Sequence, residues 1–214
     1  MTKKKASAYL LSGLFGLFAL VAIPAKADTY TFNTEHCSSA CLPFTGTISV
    51  TQNGANDVFI NVTGSGFQFV NSAGGGDQFF FNIIGDPTIS IANLTAGWQL
   101  VSTTASSTDA LGGAGWGFDY ALTCDFGLNA CGPGASNPRN PPLSFDVIAT
   151  GLTPASFFDT DGASTVQFAA DVLANGNTGL VGATRTSTVP EPISLSLVGG
   201  GLLVFGLFRK RFSA

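Results

Sequence analysis

Residues 28–181 predict an all-β domain, a β-sandwich of jelly-roll type, and three observations carry that expectation. Short runs alternate apolar and polar side chains with period two, as half-buried strands do. Turn-forming pairs punctuate them at short intervals: Asn53-Gly54, Gly74-Gly75-Gly76, Asp86-Pro87, Gly112-Gly113, Asn140-Pro141-Pro142 and Asn175-Gly176. No stretch between them sustains a helical period. Many short strands closely spaced, with nothing to bridge parallel neighbours, point to antiparallel sheets packed face to face.

The chain opens with a targeting pattern. Lys3-Lys4-Lys5 precedes an apolar region, Leu10–Ile23, and Ala25-Lys26-Ala27 supplies a small-x-small cleavage site. The apolar region is too short to span a membrane comfortably, so residues 1–27 read as a signal peptide and the mature chain is expected to begin at Asp28.

A signal peptide places the four cysteines, Cys37, Cys41, Cys124 and Cys131, in an oxidising compartment. Four cysteines allow three connectivities. Cys37–Cys41 and Cys124–Cys131 are favoured because short loops close first, although the chain-entropy model gives each only about 2–2.5 kcal/mol. A bridge from Cys37 to Cys124 would give about 4.6 kcal/mol, so stability alone prefers crossed pairing. His36 beside Cys37 and Cys41 raises a metal site as a rival, but the spacing is not that of a zinc knuckle.

Strands are expected at Phe44–Thr51, with Phe44, Ile48 and Val50 on one face, and around Val58, Ile60 and Val62. Further runs are Gly66–Val70, Gln78–Ile84, Thr88–Ala92, Trp98–Thr103, Trp116–Leu122, Leu143–Ala149 and Thr165–Val172. Phe79-Phe80-Phe81 cannot send every ring to one side, which predicts that an outer sheet face is covered as well. Trp116, Phe118 and Tyr120 are expected to share a face, as core or as a row that stacks on sugar rings.

Charge excludes one class of partner. Between Asp28 and Val189 stand two basic residues, Arg139 and Arg185, against twelve carboxylates, a balance of −10 with His36 neutral. Such a surface repels phosphate backbones, so nucleic acid is not a partner.

Catalytic patterns are weak. His36 is the only histidine, expected in a loosely held loop, and no Gly-x-Ser-x-Gly elbow occurs. The carboxylate pairs closest in sequence, Asp119 with Asp125 and Asp159 with Asp161, would have to serve a glycan hydrolase, and the expectation is no enzyme. Asp159-Thr160-Asp161-Gly162 resembles the start of a calcium loop, yet Ala170 stands where the closing Glu belongs. A weak structural Ca²⁺ is the most it would hold, and an Asx-turn is the ordinary reading.

Residues 182–189, polar and without apolar periodicity, are expected as a tether. Beyond them come Pro190-Glu191-Pro192, an uncharged run from Ile193 to Phe208, and the cluster Arg209-Lys210-Arg211. The sixteen-residue run covers about 24 Å as a helix, short of a hydrocarbon core of about 30 Å. Gly199-Gly200-Gly201 weakens it further. The two prolines hold Glu191 extended at the membrane face, and the basic cluster stops transfer on the cytoplasmic side.

This arrangement, Val-Pro-Glu-Pro, apolar span and basic end, resembles the PEP-CTERM sorting signal of Gram-negative envelope proteins, over residues 190–214. The resemblance implies recognition of Pro190, Glu191 and Pro192 by exosortase, an integral-membrane transpeptidase-like enzyme, and removal of the apolar tail. It implies passage through the inner membrane to the cell surface or an exopolysaccharide matrix. Leu152–Phe157, Phe168–Val172 and Gly176–Gly179 further resemble segments of PEP-CTERM ectodomains without assigned activity. A structural or adhesive envelope protein is therefore the expectation, with a polysaccharide-binding module, using Trp116 and Tyr120, as its rival.

Overall fold

The computed structural model describes residues 27–72, 76–105, 115–124, 131, 134–159 and 165–188. The expected sorting signal, residues 190–214, and nearly all of the expected signal peptide lie outside them. No helix among the described residues is long and apolar enough to cross a membrane.

Among the described residues twelve strands follow in chain order: β1 Ala27–Cys37, β2 Thr45–Gly54, β3 Asp57–Ser65, β4 Phe67–Asn71, β5 Phe79–Phe81, β6 Ser90–Ala92, β7 Gln99–Leu100, β8 Tyr120–Thr123, β9 Gly134–Arg139, β10 Leu143–Ile148, β11 Phe168–Ala174 and β12 Asn177–Thr188. One 3-10 turn, Pro154–Phe158, precedes β11. The described residues are thus all-β, as expected of the domain, and every strand pairing among them is antiparallel.

The described strands join in one hydrogen-bonded sheet. Its order is β6-β10-β3-β2-β1-β12-β11-β5-β8-β7, with β4 also on β11 and β9 on β4. The sheet is nearly closed into a barrel. Its two outermost strands, β6 and β7, are consecutive in the chain, and Ile89 N donates to Thr103 O at 2.8 Å across the gap between them. Irregular register at Thr29/Tyr30 and Phe32/Thr34, where β1 meets β12, adds the local twist that curling requires.

Curling brings distant strands together inside. Phe145 of β10 meets Phe79 and Phe81 of β5 at ring-centroid distances of 6.0 and 5.9 Å. The alternation expected for β2 and β3 holds, with Ile48, Val50, Val58, Ile60 and Val62 in the core and Thr47, Ser49, Asn61 and Thr63 turned outward. Gly46 is needed where it stands, because a Cβ there would come within 2.6 Å of the Phe32 ring.

Two expectations are corrected. Residues 182–188 are not a tether but the C-terminal part of β12, paired with β1 and, at Gly182 and Ala183, with β11 as well. Their hydropathy conceals this because the buried positions are small: Gly182 and Ala183 are buried, and a Cβ on Gly182 would meet Val166 at 2.8 Å and Trp116 at 3.2 Å. His36 is not in a loose loop either. It lies on β1, paired with Leu180.

The β1–β12 pair also fixes where the chain enters and leaves. Asp28 stands opposite Thr188, so both ends of the described domain emerge at one end of this pair. There Arg185 forms an ion pair with Asp28, and its guanidinium lies 3.9 Å from the centre of the Phe158 ring. At the other end Cys37 stands opposite Gly179, beside the β11–β12 turn at Asn175-Gly176.

Candidate functional site

Both favoured disulfides form: Cys37–Cys41, with Cα atoms 6.1 Å apart, and Cys124–Cys131, at 5.4 Å. Glu35 organises the first loop, its Oε2 accepting from the amides of Cys41 at 2.6 Å and Leu42 at 2.7 Å. Glu35, Cys37 and Cys41 are close enough to suggest a metal cluster. The sulfurs are already bonded to each other, so the thiolates that a metal would require are not available. The second loop is closed by Cys131 N donating to Cys124 O at 2.9 Å. Gln78, fully buried, accepts from Cys124 N at 2.7 Å through its Oε1.

Trp116 and Tyr120 do not form a binding face. Trp116 and Phe118 belong to an outer apolar cluster with Phe80, Ala121, Val166, Ala169 and Leu180, whereas Tyr120 is in the inner core. Trp116 is 9% exposed and Tyr120 0%. The expected alternation breaks at Asp119, where the chain bends. Buried Asn82 fixes the bend: its Nδ2 donates to Gly117 O at 3.0 Å and its Oδ1 accepts from Asp119 N at 2.7 Å. The Phe79-Phe80-Phe81 run behaves as expected, with Phe79 and Phe81 inside and Phe80 in the outer cluster.

His36 lines a shallow depression of about 310 Å³ with Ser38, Ser72 and Thr178. Ser72 Oγ hydrogen-bonds to the carboxylate of Asp171, which is 0% exposed. In a nucleophilic triad the carboxylate orients the imidazole rather than the serine, so this chain of contacts lacks that order.

Asp119 and Asp159, drawn from different sequence pairs, come together with Asp86. One oxygen of each lies within 4.8 Å of the others. Asp125 and Asp161 are outside the described residues. Two carboxylates at that distance repel by about 1–4 kcal/mol, depending on how much water reaches them, and a divalent cation would relieve the repulsion. Exposed acidic groups also gather without an ion, and no further feature at this place points to a ligand. The cluster acts on its neighbour Tyr120, whose hydroxyl is pushed up to about 12 by burial and then by the charges of Asp86 and Asp119. That hydroxyl donates to Pro87 O. Tyr30 is also raised above the ordinary phenol range, first by burial and then by Asp28, with Arg185 opposing.

One concavity went unpredicted. An open groove of about 420 Å³ runs beside the β11–β12 turn and carries the amide side chains Gln68, Asn140 and Asn175. Gln68 Nε2 donates to Asn140 Oδ1 at 2.9 Å, and Asn175 Nδ2 donates to Cys41 O at 2.7 Å. In the sequence Asn140 and Asn175 register only as turn residues, and Gln68 only as the outward position of a strand. Nothing local signals that β4, β11 and the segment after β9 meet.

The residues expected to carry sorting, Pro190, Glu191, Pro192, Arg209, Lys210 and Arg211, lie outside the described residues. No protein-family model matches this sequence, and neither does any curated protein or solved structure.

Proposed function

We propose that this chain is an exported envelope or exopolysaccharide-matrix protein, sorted by exosortase and serving a structural or adhesive role. In this reading the curled sheet is a sandwich-like ectodomain of jelly-roll type. Residues 193–208 hold it in the inner membrane as a helix until the tail is removed.

The observation that best supports the reading is the pairing of Asp28 with Thr188. The signal peptide precedes the first of these residues directly, and the sorting motif begins two residues after the second. Both would leave the fold side by side, so the domain can complete its sheet while held near the membrane at one end. Two disulfides closing loops at separate places suit an oxidising compartment.

The test is Glu191→Gln. The charge is read only by the sorting enzyme, so export and insertion proceed, processing stops, and the uncleaved precursor accumulates in the inner membrane. Normal tail removal in that variant would show that the carboxylate is not recognised. Neutralising Arg209, Lys210 and Arg211 together probes the stop. Moving an Arg or Lys to the bilayer centre costs about 2.5–3.5 kcal/mol on insertion scales, so without these charges the short span slips. The domain then appears in the medium with its C-terminus intact through Ala214.

A further inference from the structure

We propose that the groove beside the β11–β12 turn binds a neutral, hydroxyl-rich polysaccharide strand, with Gln68 and Asn140 as its paired polar contacts. The lining decides the ligand class. None of its side chains is charged, in a domain that carries −10 between Asp28 and Val189. An anionic ligand would lack a cationic partner there, and a cation would lack a carboxylate. Amides both donate and accept, which is what a sugar diol requires. The bond from Gln68 Nε2 to Asn140 Oδ1 holds the two amides in one orientation and leaves Gln68 Oε1 and the Asn140 NH₂ to face a ligand.

The groove is built before any ligand arrives. Gln68 is placed by the pairing of β4 with β11, where it stands opposite Leu173. Asn175 occupies the left-handed region at φ 51° and is tied by its Nδ2 to the carbonyls of Cys41 and Pro43, which leaves its Oδ1 as a further acceptor. The Cys37–Cys41 bridge constrains the loop that supplies those carbonyls. Leu173, half-buried, gives the groove an apolar patch against which sugar C–H groups pack. At Gly176 a Cβ would meet nothing within 4 Å, so no neighbouring side chain crowds the groove at the turn.

Position favours the same use. Asn175-Gly176 lies at the end of β12 opposite to Thr188, where the chain leaves the domain. The groove is therefore away from the end of β12 at which the chain leaves the domain. The inference deepens the matrix reading, and rests on it only for where the glycan is met.

The test is native affinity electrophoresis of the full chain in mild detergent, through gels containing hydroxyethylcellulose, galactomannan or carboxymethylcellulose. A neutral polymer should retard the protein, and the anionic polymer should do so less. Gln68→Ala with Asn140→Ala should weaken retardation at least about tenfold, as expected for losing two ligand hydrogen bonds. Thr47→Ala, on the outer face of β2, should leave it unchanged. Thermal melts check the fold; if the double variant melts lower, Asn140→Ala alone, at an exposed position, carries the comparison. Absence of retardation by both neutral polymers, equal retardation of wild type and variant, or stronger retardation by the anionic polymer each overturns the proposal. Because purified chain is used, failure here leaves exosortase sorting standing, and failure of sorting leaves the groove standing.

Discussion

The wall made by β5, β8, β11 and β12 is apolar on both faces, but the two faces are covered in different ways. On the inner face, Phe79, Phe81 and Phe168 meet rings delivered by distant elements, among them Tyr30, Phe145 and Phe157. On the outer face, Phe80, Ala121, Ala169 and Leu180 are covered chiefly by Trp116, Phe118 and Val166. The inner face is held by closure of the whole sheet. The outer face depends on a few residues flanking the strands, and its packing is correspondingly local.

The largest expected effect breaks this comparison at the core. Phe145→Ala should cost about 3–5 kcal/mol, because its cavity is walled by rings from across the sheet and cannot collapse. Trp116→Ala should cost about half as much, since a residue 9% exposed at the rim lets neighbours and water fill the space. Urea unfolding of the two variants measures both. Gly182→Ala sharpens the contrast from the other direction: its Cβ would press on Val166 and Trp116, an overpacking worth about 1–3 kcal/mol.

How much of this was legible follows the same division. Inward positions of β2, β3 and β10 could be read because β-branched and aromatic residues alternate with polar ones, and burial follows directly from that pattern. β12 could not, because it is buried on both faces through small residues, Gly182 on the outer and Ala183 on the inner, that admit bulk from elsewhere, and hydropathy records only the side chain present. β1 was missed although Tyr30 and Phe32 alternate with Thr29 and Thr31; Asp28 at an inward position, paired with Arg185, disguises the start of the strand. The Trp116–Tyr120 row failed because a distant residue, Asn82, bends the chain at Asp119. Of the candidate sites, the disulfides followed from loop length, whereas the amide groove depends on tertiary contacts that no local pattern encodes.

The inner face makes a prediction in alkali. Tyr120 holds its proton to about 12 in the fold, whereas a phenol in the unfolded chain loses it near about 10. Between these values the unfolded state binds fewer protons, so stability is present below about pH 10 and is lost as pH rises through the window. Tyr120→Phe should flatten that decline in melts taken from pH 9 to pH 12. A smaller effect separates the two tyrosines at neutral pH. Tyr120→Phe forfeits the bond to Pro87 O and should cost about 1 kcal/mol. The Tyr30 hydroxyl is buried without a hydrogen-bond partner among the described residues, so Tyr30→Phe should be neutral or stabilise by up to about 1 kcal/mol. Equal losses in both variants would mean that Tyr30 has a partner.

The smallest expected effect lies outside both faces, at the carboxylates. Asp86 has φ 49°, a conformation that Asn also tolerates, so Asp86→Asn removes charge without backbone strain. With chelator present, losing one of three mutually repelling carboxylates should raise the melting temperature by no more than about 2 °C. If millimolar Ca²⁺ raises the wild-type melt and not that of the variant, a cation is bound there.

On the proposed export route, the domain is delivered by cleavage at both of its neighbouring ends. Intact-mass measurement of the protein recovered from the cell surface or matrix tests this most directly. The account predicts a chain that begins at Asp28, carries both disulfides, and lacks the apolar run and Arg209-Lys210-Arg211. A surface-located protein whose mass extends through Ala214 would contradict it.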